Sequence, residues 1–289
     1  VKKQGFYWLG QGLPLLAGLI VPVAVAVIWF VATYYVWLPE QLLPPPQLVY
    51  QSFVELWQEG ELQFHVQVSL TRLGASVFLG ASIGVVLGVA MAISVRIKQL
   101  LFPSFNLLAQ FPVIGWVPIL VIILGIDEPL KIWAIAVAVL PPVTINVYRG
   151  IRQIPRLLLE AADVLQFSIL DVFKKLIIPA TLPNFFSGLR QGLMQGWLTL
   201  VFVELLASSE GIGYLMVWGR QLMQMDLIVV AMIVIGIIGF TIDVSLGFIE
   251  RRLQPWQLPQ RTRAPVKQKV SAVTVTRPVT NNLPVNAFD

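Results

Sequence analysis

The sequence contains no cysteine, a single histidine among 289 residues, and only 12% charged residues. Without cysteine there are no disulfides, no thiolate metal sites and no cysteine nucleophile. One histidine, His65, cannot supply the paired imidazoles of a helical zinc site. The patterns HExxH, GxSxG and GxxxxGK[ST] are also missing, so an intramembrane hydrolase lacks its nucleophile or metal cluster and ATP has no phosphate loop on this chain. No inverted internal repeat of the kind that builds secondary carriers is evident.

What remains is greasy: 57% of residues are hydrophobic and mean hydropathy is +0.79, far from the roughly 25% charge share of soluble domains. Crossing a ~30 Å hydrocarbon core takes about 20 apolar residues. Six runs qualify, at 15–37, 69–95, 104–124, 130–148, 184–206 and 227–246. They lack the two-residue alternation of barrel strands, so helices must satisfy their backbones. The expected fold is an all-α integral membrane protein of about six transmembrane helices. The first run exceeds a signal-peptide core and no small-residue cleavage site follows, so it is read as a spanning helix.

Lys and Arg sort to one side. Lys2 and Lys3, Arg96 and Lys98, Arg149, Arg152, Arg156, Lys174 and Lys175, then Arg251 and Arg252 fall in alternate connections, while Glu40, Glu55, Glu59, Glu61, Asp127, Glu128, Glu210 and Asp226 dominate the others. Both termini are therefore expected in the cytoplasm, and the pI of ≈ 9.6 reflects inside charge, not nucleic-acid binding. The division expected is a cytoplasmic start (1–14), a membrane domain (15–256) and a disordered basic tail (257–289). Between the first two runs, LLPPPQLVYQSFVELWQEGEL reads as an external helix with Val49, Phe53, Leu56 and Trp57 on one face.

Residues 160–190, EAADVLQFSILDVFKKLIIPATLPNFFSGLR, interrupt the apolar pattern. Residues 156–165 fit a short amphipathic helix with Leu158, Ala161, Ala162 and Leu165 on one face. Ser168 and Asp171 have capping-box spacing. Pro179 and Pro183 then read as an interruption, with Thr181 available to cap the following helix. Spacing alone fits a structured connector as well as a docking hairpin.

The segment resembles the EAA loop of ABC-importer permeases. Glu160, Ala161 and Ala162 match its start; Leu176, Ile178 and Pro179 match its end; Gln166 stands where the family has glycine. Residues 42–253 look like the sulfonate, nitrate and taurine branch, whose early pattern falls on Leu43, Pro44, Pro46, Phe53, Gly60, Leu62, His65, Ser69, Leu70, Arg72 and Gly80; FPVIGWVPILVIILGIDEPLKIW and EGIGYLMVWGRQLMQMD continue the likeness. The resemblance implies a type I importer bundle with a cytoplasmic coupling helix carrying Glu160, Ala161, Ala162, Gln166 and Pro179. It implies ATPase subunits that bind ATP and Mg, an external substrate-binding protein, a second permease copy and a lipid bilayer as partners. No cofactor is expected on this chain. The implied cargo is a small anion, aliphatic sulfonate first, with nitrate, bicarbonate or taurine as alternatives.

Ionisable and polar groups inside spanning helices are candidate path residues. Glu204, with Trp197 and Thr199 earlier on the same helix, and Asn146 beyond the Pro141–Pro142 pair are selected; a structural carboxylate is the competing reading of Glu204. Asp243 and Glu250 read as interfacial partners of Arg251 and Arg252, Arg72 and Arg190 as snorkelling side chains, and His65 as a packed, hydrogen-bonded residue. Gly80, Gly84 and Gly88, and again Gly188, Gly192 and Gly196, form small-residue stripes suited to close helix packing. Pro112, Pro118, Pro141 and Pro142 are expected to break or bend the third and fourth helices.

Overall fold

A computed structural model describes residues 9–253; the first part of the expected cytoplasmic start and the expected disordered tail at 257–289 lie outside the described residues. The described chain is helical throughout, with no strand. Its helices are α1 (Leu9–Tyr34), α2 (Pro46–Gln58), α3 (Glu61–Ile93), α4 (Val95–Gln110), α5 (Val117–Leu124), α6 (Glu128–Arg152), α7 (Arg156–Val164), α8 (Ile169–Asp171), α9 (Ile178–Ala207), α10 (Ile212–Gln221) and α11 (Met225–Leu253). Four runs among the described residues are long and apolar enough to cross a membrane: Glu61–Ile93, Glu128–Arg152, Ile169–Gln221 and Met225–Glu250.

The expected third span is not one helix. α4 stops at Gln110, a 3₁₀ turn covers Val113–Trp116, and α5 restarts with Pro118 in its first turn. Pro112 has no N–H to give and forces Phe111 out of the helical region, which ends α4 there. Pro141 and Pro142 do not break their helix: α6 runs through both.

α6 is the central helix, with α3 and α9 on two sides of it. Gly80, Gly84 and Gly88 face Ala136, Leu140 and Thr144, so each step of four on α3 matches a step of four on a parallel α6. A Cβ at Gly80 would lie 2.5 Å from the Ala136 carbonyl oxygen, and one at Gly88 2.8 Å from that of Thr144. On the other side Gly188 meets Asn146 and Pro142, and Gly196 meets Val139 and Ile135, so α9 runs antiparallel. Both glycine stripes therefore put backbone against α6. Val139, Val143 and Val147 fill the seam with Ala81. A second cluster, with Leu62, Leu73, Ile135, Leu200, Ile212 and Val230, ties α3, α6 and α9 to α10 and α11.

The face of α2 turned inward carries Val49 and Leu56, as expected, together with Ser52, while Phe53 and Trp57 of the expected set are not buried with them. Ser52 donates to the Asp226 carboxylate at the start of α11, which rotates Phe53 and Trp57 outward, where their rings stack at 6.1 Å. Trp29 of α1 donates to the Pro44 carbonyl at 3.0 Å.

Candidate functional site: hairpin, cavity and buried charge cluster

Arg152 and Glu128 stand at opposite ends of α6, roughly 36 Å apart at 1.5 Å per residue. A helical hairpin lies beyond the Arg152 end. α7 closes in a Schellman arrangement: the Phe167 N–H donates to Ala162 O at 3.0 Å and the Gln166 N–H to Asp163 O at 3.0 Å. Gln166 therefore takes the left-handed position that usually holds glycine, at φ 53°, so the sharp turn forms without one. Ser168 then caps α8, accepting from the Asp171 N–H at 3.2 Å and donating to its carboxylate at 2.6 Å. Lys175 pairs with Asp171 at 2.8 Å.

From Ile169 the helix does not stop. A π turn, Val172–Ile177, leads into α9, so Pro179 and Pro183 lie inside a continuous helix and Thr181 is a buried interior residue, not a cap. The wider turn directly precedes Pro179, whose ring would meet the carbonyl four residues back in a regular α-helix. Of α7 only Ala162 is buried. Leu157 is 74% exposed, Val164 83% and Ile169 91%, and Leu158 and Leu165 of the expected shared face are exposed too. Apart from Ala162, the large apolar side chains of that face are left uncovered within the described chain.

A cavity of about 910 Å³ opens beside α6, walled by α4, the Phe111–Trp116 turn, α6 and α9. Asn146 and Thr199 line it; Gln191 and Gln195 complete one stripe with Thr199 at four-residue spacing, and Arg149, Asn106 and Gln110 add polar groups. Phe105, Trp116, Leu120, Ile145 and Leu198 supply apolar wall. Asn146 donates to Pro142 O at 2.8 Å and to Gln191 Oε1 at 3.5 Å. Because Pro141 and Pro142 lack N–H groups, the carbonyls of Val137 and Ala138, both on the cavity wall, lose their helical donors.

Glu204 and Trp197 are not on that wall. Glu204 is 0% exposed near the Glu128 end. It accepts from Ser69 at 2.8 and 2.9 Å, from Arg72 at 2.9 Å and from the Gly213 N–H at 3.0 Å. Arg72, expected to snorkel, is instead buried: it also donates to both Glu128 oxygens at 2.5 and 2.8 Å, to Ser208 at 3.2 Å and to Glu210 O at 2.8 Å. Lys131 joins through Glu128 at 2.9 Å. His65 accepts the Gly211 N–H at 2.9 Å. Gly211 has φ 107°, and a Cβ there would overlap the Glu204 carboxylate, so the loop is held by groups only glycine can admit. Trp197 is buried with its indole nitrogen against Gly239. Arg190, near the middle of α9, clamps α11 through Asp243 at 2.7 and 2.8 Å, with Glu250 at 4.0 Å; Arg252, expected beside these acids, pairs with neither, and the Arg251 side chain lies outside the described residues.

Sequence reading selected Glu204, Thr199 and Asn146 but not their settings, and it passed over Gln191, Gln195 and the Arg72 cluster. The signal for the glutamines was available: two amides and a threonine, each four apart, on an apolar helix.

A family model for the binding-protein-dependent transport system inner membrane component matches residues 81–258. The chain belongs to that family. The permease is 35% identical over 240 residues, 83% of its length and 87% of the relative's, to the protein named "Putative aliphatic sulfonates transport permease protein SsuC" in Bacillus subtilis (strain 168). It is 33% identical over 239 residues to the taurine transport system permease protein TauC of Escherichia coli (strain K12), covering 81% and 86%. Against the nitrate import permease protein NrtB of Leptolyngbya laminosa it is 31% identical over 194 residues, covering 67% and 70%. Among solved structures, an inward-facing MetNI methionine ABC transporter chain superposes with TM-score 0.58 at 17% identity, covering 69% of the permease and 98% of that chain. An amino acid ABC transporter chain gives 0.58 at 15%, covering 70% and 97%. These likenesses fix the type I importer-permease fold. The permease is a transport subunit of an ABC importer of the sulfonate/nitrate/taurine family, not an enzyme.

Proposed function

We propose that the permease imports aliphatic sulfonate, delivered by an external binding protein, through a path formed by two copies of this chain and driven by two ATPase subunits. The observation that carries the mechanism is the α7–α8 hairpin: apart from Ala162 its apolar side chains are largely uncovered in the described chain, and it continues without a break into the helix that walls the cavity. Glu160, Ala161, Ala162, Gln166 and Pro179 form the docking and coupling element, and ATP with Mg binds the ATPase partners. Asn146 and Thr199 belong to the path. Both termini and the hairpin face the cytoplasm, in keeping with the basic side of the sequence. Sulfonate is supported by the 35% identity to the sulfonates permease relative; taurine, itself a sulfonate, follows at 33%, and nitrate or bicarbonate would use the same mechanism.

The test is uptake in proteoliposomes holding the complete transporter and its binding protein. Glu160→Lys is expected to reduce ATP-driven sulfonate uptake at least tenfold while the permease still inserts and still folds. Undiminished uptake after deletion of residues 161–175 would refute hairpin coupling.

A further inference from the structure

Gln191 and Gln195 are exposed on the open face of α9 in the middle of a spanning run. A primary amide set against hydrocarbon is costly, so inside the membrane this face borders water or protein. The cavity's polar groups are chemically one-sided. Among the described residues no carboxylate lines it, and Arg149 is its cation. No carboxylate among the described residues pairs with Arg149, whereas Arg190 in the adjoining recess is neutralised by Asp243. The Gln191 carbonyl oxygen already faces the Asn146 amide, and no acceptor among the described residues takes the Gln191 NH₂. Opposite lie aromatic and aliphatic surfaces, Phe105, Trp116 and Leu120.

The geometry points to a binding site in the permease itself for an amphiphilic anion: the Gln191 and Gln195 amides hold an oxyanion head, Arg149 nearer the Arg152 end of α6 gives the same cavity its positive charge, and the wall around Trp116 takes a carbon tail. A sulfonate head offers three acceptor oxygens and no donor, matching a donor-rich, carboxylate-free polar strip. Nitrate and bicarbonate have no tail, so the apolar wall gives them nothing. The permease therefore adds chain-length selectivity to whatever its binding protein selects. This inference rests on the sulfonate reading of the transporter.

The experiment titrates the purified complete transporter, nucleotide-free and without binding protein, with ethanesulfonate, butanesulfonate, hexanesulfonate and nitrate by calorimetry. In parallel, the same preparations are assayed for binding-protein-dependent uptake. Each buried methylene is expected to raise affinity up to about fourfold, the equivalent of about 0.8 kcal/mol. Nitrate is expected to bind at least tenfold more weakly than hexanesulfonate. Gln191→Leu with Gln195→Leu should weaken hexanesulfonate at least tenfold, and Trp116→Ser should flatten the chain-length series while sparing ethanesulfonate. No saturable binding, affinities independent of chain length, or variants without effect would overturn the site, even with uptake intact. Uptake absent in preparations that bind by chain length would instead refute the transport reading and leave the site standing. Loss of the two-copy assembly in the glutamine variants would show that these amides join copies, and would also overturn it.

Discussion

At the residue scale the most consequential side chain is Arg72, which joins α3 to α6, α9 and the loop before α10 through its guanidinium. Glu204 depends on it, since a fully buried carboxylate without a cation is costly. Glu128, 52% exposed, can be rescued by water. Arg72→Met should therefore destabilise the permease by about 3–5 kcal/mol, the range for breaking a buried pair by removing one partner. Arg72→Met combined with Glu204→Leu should cost less than the sum of the single changes, because the stranded charge is gone while the Glu128 partner keeps Lys131. Thermal unfolding of the detergent-purified protein checks both, and strict additivity would show that Arg72 and Glu204 do not stabilise each other. This cluster also separates two meanings of an ionisable residue in a membrane helix: Glu204 is polar because the fold binds a loop there, whereas Gln191 and Gln195 are polar because the helix face is open.

At the scale of elements, the glycine stripes decide how close α3, α6 and α9 come. Gly80→Leu places carbon where the Ala136 carbonyl already stands, so α3 must move away from α6; a cost of about 1–3 kcal/mol is expected for overpacking of this kind. Gly74 has nothing within 4 Å of a built Cβ, so Gly74→Ala should be neutral or stabilise the helix by up to about 1 kcal/mol. Paired melting curves test the contrast, and equal losses would mean that close contact with α6 does not set the cost at Gly80. The stripes, four of the spans and the capped turn at Ser168 were legible because each rests on local spacing. The rest was not, for physical reasons. Pro141 and Pro142 look like helix breakers locally, yet tertiary contacts on α6 keep it continuous; Pro179 follows a π turn that no spacing announces, and Pro183 sits within α9 itself. Phe53 and Trp57 were misplaced on the inward face of α2 because a hydroxyl, Ser52, found a carboxylate 174 residues away. Charge partners are long-range facts: nothing near Arg72 in the chain points to Glu128 or Glu204.

For the whole molecule the question is how the proposed docking hairpin at one end reaches a cavity in the middle. The uninterrupted helix from Ile169 to Ala207 spans roughly 57 Å at 1.5 Å per residue and carries Gln191, Gln195 and Thr199 on the cavity wall. Moving the hairpin moves that stripe, unless the π turn at Val172–Ile177 absorbs the displacement by bending. Nucleotide on a partner ATPase can shift the bundle only if the ATPase contacts two states of the hairpin unequally, so the wall should change its accessibility with nucleotide state. The chain has no cysteine, and single substitutions Gln195→Cys and Thr199→Cys can be labelled with a water-soluble maleimide without background. Ile237→Cys, on the outward apolar face of α11, serves as the control. In reconstituted complexes with binding protein present, labelling rates at the two cavity positions should differ at least fivefold between nucleotide-free and ATP-trapped forms, while the control stays flat. Register should show in the same assay: deleting one residue within Val172–Ile177 should abolish the difference by turning the hairpin out of register with the stripe. Equal labelling in both nucleotide states at Gln195→Cys and Thr199→Cys would mean that the lever does not reach the cavity, and that α9 couples to transport by its other face.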